Sequence, residues 1–283
     1  VVVRDGDNIK MNFTGEGEVD SQLVLDKIDA DKDEVIDIAL KLLNARPIEA
    51  GTYDIICDPA VAGLIAHEAF GHGVEMDMFV KERAKAVQYV GKRVASDVVN
   101  MYDGAASCVS AASYFFDDDG VEAGKTNIIK NGILQTGISD CLSAMELGTT
   151  PTGNGRRESY KRKVYTRMTN TFFDAGNDSV EDMIKSIKHG YYLCQSSNGM
   201  EDPKNWQIQC TAGYGIEIVD GKLTDHIVAP VVISGSVVEL LNSISMVSKD
   251  VHIFGMGMCG KGHKEWVFVS DGGPYLKGKA KLS

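Results

Sequence analysis

The residues best able to do chemistry in this chain are His67, Glu68 and His72, within LIAHEAFGHGVEMD at residues 64–77. Two imidazoles and a carboxylate are the groups that hold a zinc ion and move the proton of a water it activates. In the common His-Glu-x-x-His form the histidines stand four residues apart, about 40° from each other around an α-helix. Here they stand five apart, which on a regular helix is about 140° and too wide for one ion. Gly71 and Gly73 flank His72 and free the chain to leave α geometry. One wide turn of the π type, with an i to i+5 hydrogen bond, would return residue 72 over residue 67. Alternatively the helix stops at Gly71 and His72 turns back from a loop. Taken singly, the three read as a core histidine, a solvated glutamate and a histidine placed against a helix dipole. Their conjunction favours the metal.

Two histidines leave a catalytic zinc site one protein ligand short if a position is to stay open for water. Glu75, Asp77 and Glu82 are near in sequence; His226, His252, Cys259 and His263 are remote. Cys259 stands out because FGMGMCGKGHKE surrounds it with glycines at 255, 257, 260 and 262, which allow close backbone approach. A thiolate is a good zinc ligand. The residues alone leave the choice between Cys259 and His263 open. For substrate, TGNGRR offers Asn154 and Arg156, and RMTN offers Arg167 and Asn170. These could fix a peptide carboxylate or main chain, or equally form a turn and a structural hydrogen-bond network. DDDG at 117–120 lacks the ligand spacing of a calcium loop and reads as a turn. His189 reads as a helix-end residue, and KERAK at 81–85 as a solvated helix face.

Several elements must position these groups. DKDEVIDIALKLLNARP, residues 31–47, reads as a helix capped by Asp31, with Glu34 three residues on and Pro47 after its end. TYDIIC is a short buried strand. Asp58 and Pro59 then give a cap and first-turn signal for the helix that carries His67. From about residue 94 short alternating runs (93–101, 126–129 and 133–138) are separated by turn signals. SVEDMIKSIKHG reads as a helix capped by Ser179 and ended by Gly190. Strand patterning resumes from Trp206 to Pro230 and again from Glu265 to Leu276, with a helix within residues 234–250. The expectation is an α+β fold, with a helix-borne metal motif packed on a strand-rich, largely antiparallel sheet or barrel-like C-terminal half. Residues 1–93 form the helical region. Residues 94–283 supply the third ligand and the substrate cleft, and the two can form one integrated domain.

The 283 residues are 43% hydrophobic and 24% charged, ordinary values for a globular chain with a large core. A net charge of -11 argues against nucleic acid as a partner, since phosphate binding relies on lysine and arginine. Six scattered cysteines without close pairs do not suggest a disulfide framework. No apolar run has the length of a membrane helix, and the N-terminus lacks a signal peptide, so a cytoplasmic protein without a membrane partner is expected. The chain opens Val-Val-Val without a methionine, as a processed product or a piece of a longer polypeptide would.

Together AHEAFGHGVEMD, TGNGRR at Thr152–Arg157, RMTN at Arg167–Asn170 and CGKG from Cys259 resemble, in the same order, the catalytic half of the TldD/PmbA metallopeptidases, also labelled modulators of DNA gyrase. The resemblance runs from about Tyr53 to Leu276. It implies Zn2+ bound by His67, His72 and Cys259, with Glu68 as catalytic base, in a TldD-like member rather than a PmbA (TldE) relative lacking the His-Glu motif. It implies hydrolysis of unfolded or flexible peptides, and a homodimer or a heterodimer with a PmbA/TldE-like subunit. It also implies that a family N-terminal domain is absent here, as in a C-terminal fragment or a short relative. Two departures stand out: SSNGMEDPKNW at residues 196–206 differs from the family pattern, and His263 replaces a glutamine. The competing reading is a non-catalytic partner-binding or gyrase-modulating protein with a structural metal. A base beside a ligand speaks against it, because a structural site needs none.

Overall fold

A computed structural model describes residues 1–262 and 265–283 of the chain. The chain opens with a hairpin, β1 (Val2–Asp5) and β2 (Asn8–Met11), followed by helix α1 (Ser21–Leu42). Strand β3 (Gly51–Cys57) leads into α2 (Pro59–Leu64), a π-helical turn at Ile65–Gly71, a 3-10 turn at His72–Val74 and α3 (Met76–Val80). The middle of the chain holds β4 (Met101–Asp103), β5 (Thr126–Lys130), β6 (Ile133–Leu134), α4 (Cys141–Leu147), β7 (Gly155–Arg156), β8 (Tyr165–Thr166), β9 (Asn170–Phe173) and α5 (Val180–Lys185). Longer strands follow: β10 (His189–Asp202), β11 (Gln207–Val219), β12 (Lys222–Val228) and β13 (Val231–Ser236). Last come α6 (Val237–Ser243), β14 (Met246–Val247), β15 (His252–Lys261), β16 (Glu265–Gly273) and β17 (Leu276–Leu282).

The architecture is α+β, with most strands in two sheets. In the larger one the order β10-β3-β17-β13-β11 closes through a β10–β11 pairing into a five-stranded barrel, with β12 and β14 attached. The six-stranded sheet runs β15-β16-β9-β4-β5-β6. Most pairings are antiparallel, as expected, but both sheets are mixed: β3 runs parallel to β10, and β9 parallel to β16. Parallel neighbours far apart in sequence leave no turn signal between them, so the local pattern showed only the hairpins. The barrel takes β3 from before residue 93 and its other four strands from after it.

Helix α1 begins ten residues before Asp31. Asp20 is its cap, accepting the Gln22 N–H at 2.7 Å. The reason is burial. Val35, Ile38, Ala39 and Leu42 are buried, whereas Leu23 and Leu25 in the first turns are exposed, so only the second half carries the periodicity that marks a helix in sequence. Arg93–Met101 and Ile133–Ile138 are mostly irregular, with strand structure confined to β4 and β6. Their backbone still does structural work: Ile138 N–H donates to Val74 O at 3.0 Å and Met76 N–H to Ile138 O at 2.9 Å, which pins the segment just after His72. Strand β10 carries QSSNGMED in its outer half and had no alternating apolar signature.

The helical run from α2 through the π turn lies between the two sheets, packed on β10 and β11 on one side and on β9 and β16 on the other. One core cluster joins them, with Ile65, Phe70, Leu193, Ile208, Cys210 and Val267 all buried in it. No helix among the described residues is long and apolar enough to cross a membrane.

Candidate metal centre

Asp58 starts the helical run as the sequence predicts, its carboxylate accepting the Val61 N–H at 2.7 Å, with Pro59 in the first turn. The same side chain accepts the Gln195 N–H at 2.8 Å, tying the helix start to β10. The α turns then widen. Within Ile65–Gly71 the chain is π-helical, and the backbone N–H of His72 donates to the carbonyl of His67, the i to i+5 bond that a five-residue spacing requires. The two imidazoles therefore face each other, ring centroids 5.1 Å apart and nearly perpendicular at 87°. The glycines contribute space rather than unusual dihedrals, since Gly71 has φ -59 and ψ -49. A Cβ there would stand 2.1 Å from the Met168 sulfur, and one at Gly73 would stand 2.4 Å from Glu201 Oε1.

Strand β15 delivers Cys259 to the same point, its sulfur 3.5 Å from His72 Nε2. One ligand atom from each of His67, His72 and Cys259 lies within 4.8 Å of the others. Burial alone would push the Cys259 thiol up; hydrogen bonds and charge from the two imidazoles outweigh it and bring it down to about 4. His67 Nδ1 is buried without a hydrogen-bond partner among the described residues. Two imidazoles and a thiolate at this spacing, with one buried nitrogen left unpaired, fit a zinc ion.

Behind these groups stands a buried ionic network. His72 Nδ1 is 3.3 Å from Glu75 Oε2, and the Lys261 ammonium donates to Glu75 at 2.9 Å, to Asp77 at 2.8 Å and to Thr166 O at 3.0 Å. Burial would raise the Glu75 carboxyl, but Lys261 and His72 outweigh it and hold it down to about 2. A carboxylate on the outer nitrogen of a ligating histidine fixes its tautomer and ring orientation. Arg167 is buried and donates to the carbonyls of Cys259 and Glu265, which anchors the strand that presents the sulfur.

Glu68 lines a cleft of about 820 Å³ together with His67, His72 and Cys259. Its carboxylate is 3.9 Å from His72 Nε2. Burial raises its proton affinity above the ordinary glutamate value, against the opposing pull of the two imidazoles. Gly199 of β10 closes over its stem: a Cβ on Gly199 would stand 2.7 Å from Glu68 Cγ.

The other residues singled out in the sequence lie elsewhere. Glu75 and Asp77 both engage Lys261 and stand outside the three-ligand cluster, Glu75 touching it only through His72 Nδ1. Glu82 sits in a turn with φ 54. His226 pairs with Glu217 at 3.0 Å and His252 is exposed at the start of β15. His263 lies outside the described residues. Asn154 is buried and donates to Asp103 at 2.6 Å and Arg167 O at 3.0 Å. Asn170 is buried and donates to Ser113 at 3.1 Å, and Arg156 donates to Met168 O at 2.6 Å. None of Asn154, Arg156, Arg167 and Asn170 lines the cleft. Lys261 and Glu201 carried no signal of their own in the sequence, because the carboxylates that Lys261 meets are remote from it and Glu201 lies in the polar outer half of β10.

Residues 50–280 match the family described as the PmbA/TldA metallopeptidase C-terminal domain. The chain is similar to a metalloprotease of Methanocaldococcus jannaschii, 35% identical over 245 residues covering 87% of this chain and 53% of that protein. A zinc metalloprotease TldD homolog of Saccharolobus solfataricus is 35% identical over 234 residues, 82% of this chain and 51% of that protein. The chain thus spans about half the length of the curated relatives it matches. Among solved structures, TldE of Thermococcus kodakarensis superimposes with a TM-score of 0.75 at 24% identity, over 100% of this chain and 61% of that one. A candidate DNA-gyrase modulator of Thermotoga maritima gives 0.77 at 21%, over 100% and 60%. At these identities both show the fold alone.

Proposed function

The chain belongs to the TldD/PmbA metallopeptidase family, and from that premise we propose that it carries the catalytic centre of a zinc-dependent peptidase acting on unfolded or flexible peptides. The observation that carries the proposal is the convergence of His67, His72 and Cys259 in a cleft that the Glu68 carboxylate also lines. A zinc ion held by the three would polarise the peptide carbonyl and acidify a water.

Glu68 is the base and then the acid of this scheme. Its carboxylate takes the proton of the attacking water and returns it to the departing amine, and a proton affinity raised by burial suits both halves of that shuttle. Glu75 and Lys261 keep the His72 ring aimed at the cleft. Arg167, with Asn154 bonded to its carbonyl, works from behind the site as support for β15. Arg156 and Asn170 brace the loops around it.

Peptide binding falls to strand edges. The six-stranded sheet ends at β15, so one edge of that strand is unpaired, and β10 pairs with β3 only from Gly190 to Leu193. Both free edges line the cleft, through Met256–Gly260 and Gln195–Glu201. An extended peptide can add to such an edge by main-chain hydrogen bonds with little demand on its side chains. The partner is a second copy of the chain or a TldE-like subunit, and the compartment is the cytoplasm.

The test is hydrolysis of an unstructured peptide by wild type and Glu68→Gln. Wild type is expected to cleave in a chelator-sensitive manner and the variant to lose roughly 10²–10⁴-fold in rate. Equal cleavage by both would remove Glu68 from the reaction.

A further inference from the structure

Past His72 the large cleft adjoins a second cavity of about 370 Å³, which shares His72, Glu201 and Gly260 with it. The two differ in charge. Among the described residues the large cleft is lined by Glu16, Asp31, Glu68, Glu201 and Asp271 and by no lysine or arginine. The small cavity is lined by Lys81, Arg83 and Lys261, with Glu75 and Glu201 as its carboxylates. Two of those cations are engaged already: Lys261 with Glu75 and Asp77, and Lys81 with Asp77 at 3.1 Å. Arg83 is exposed, and its guanidinium makes no hydrogen bond or ion pair with any described residue. Its backbone is nonetheless fixed, the N–H donating to Met78 O at 2.8 Å. The turn thus places Arg83, without a described side-chain partner, at a pocket beside the metal cluster.

We propose that this cavity is a carboxylate subsite in which Arg83 binds the free C-terminus of a peptide, whose preceding residues lie past the two histidines in the acidic cleft. The inference rests on the peptidase reading. A guanidinium presents a planar fork of N–H groups that matches a carboxylate through two parallel hydrogen bonds. The volume suits a small terminal group. Main chain is favoured over side chain as the source, because the free edge of β15 ends at Lys261, where Gly260 and Lys261 line this cavity. A peptide following that edge brings its own backbone terminus there. The large cleft offers no lysine or arginine among the described residues to compete for that carboxylate, so the small cavity sets where the terminus lies.

The experiment uses zinc-loaded Glu68→Gln protein and three peptides of one sequence: a C-terminal acid, a C-terminal amide, and an amide ending in glutamate. Binding is followed by fluorescence anisotropy. The acid is expected to bind about tenfold more tightly than either amide, the effect of one charge-assisted hydrogen-bonded pair. Adding Arg83→Ala should bring the ratio close to one, and Arg83→Lys should restore part of it. Equal binding of acid and amide, a preference that survives Arg83→Ala, or no binding of any peptide overturns the subsite. A glutamate-ended amide that binds as well as the acid overturns the C-terminal assignment. Hydrolysis by protein with Glu68 intact is scored separately. Absence of cleavage sinks the peptidase reading, while the binding ratios still decide the subsite.

Discussion

Lys261 governs the site at the scale of single residues. It holds Glu75 and Asp77, and Glu75 in turn holds the outer nitrogen of His72. Replacing it by methionine leaves the buried Glu75 charge without its lysine partner, which costs on the order of 3–5 kcal/mol, and weakens the hold on the His72 ring. The Lys261→Met variant should therefore show a lower melting temperature and zinc affinity weaker by roughly 10–100-fold in chelator competition. Glu75 also makes stability depend on acid. Its folded-state pKa, about 2, lies below the ordinary glutamate value of 4.5, so its contribution is complete above about 4.5 and is lost as pH falls toward 2. Denaturant titrations across that window should show a steeper loss for wild type than for Glu75→Gln; parallel curves would contradict the assignment. His67, Glu68 and His72 were legible because all three sit on one turn. Cys259 lies 187 residues from His72, and only the family resemblance selected it over His263. Lys261 stood in the quoted CGKG segment, but nothing local says which carboxylates it meets.

At the scale of elements, the π turn and β10 decide where Glu68 stands. The odd histidine spacing left open a wide turn or a helix stopping at Gly71, since no regular helix brings residues five apart together, and the chain takes the wide turn. Strand β10 was not foreseen, because its outer half is polar and hairpin-like, yet it lays Gly199 directly on the Glu68 stem. Gly199→Ala places a methyl 2.7 Å from Glu68 Cγ and 2.9 Å from its Cβ, so the glutamate or the strand must shift. The variant should keep its zinc and lose peptide hydrolysis by about a hundredfold, as a displacement of about 1 Å in a catalytic group can cost. Unchanged hydrolysis would mean that the strand does not set the position of the base. Helix α1 makes the complementary point, for its exposed first half gave no periodic signal and its buried second half did.

Across the whole molecule, the barrel and the six-stranded sheet share one core through the α2 and π-helical run, and the largest cluster takes residues from Ile55 to Leu282. Calorimetry should accordingly record a single cooperative transition rather than separate melting of residues 1–93 and 94–283. The α+β class and the barrel-like character were legible in the turn and strand pattern. The mixed strand direction was not, because β3–β10 and β9–β16 pairings join segments with no turn between them. The claim on which the account depends is that a five-residue histidine step and a distant strand make one metal site. It is tested most directly by zinc stoichiometry of the purified protein beside Cys259→Ser and Glu68→Gln. The account predicts about one zinc per chain in wild type and Glu68→Gln and a marked loss in Cys259→Ser. Full zinc in the serine variant would contradict it.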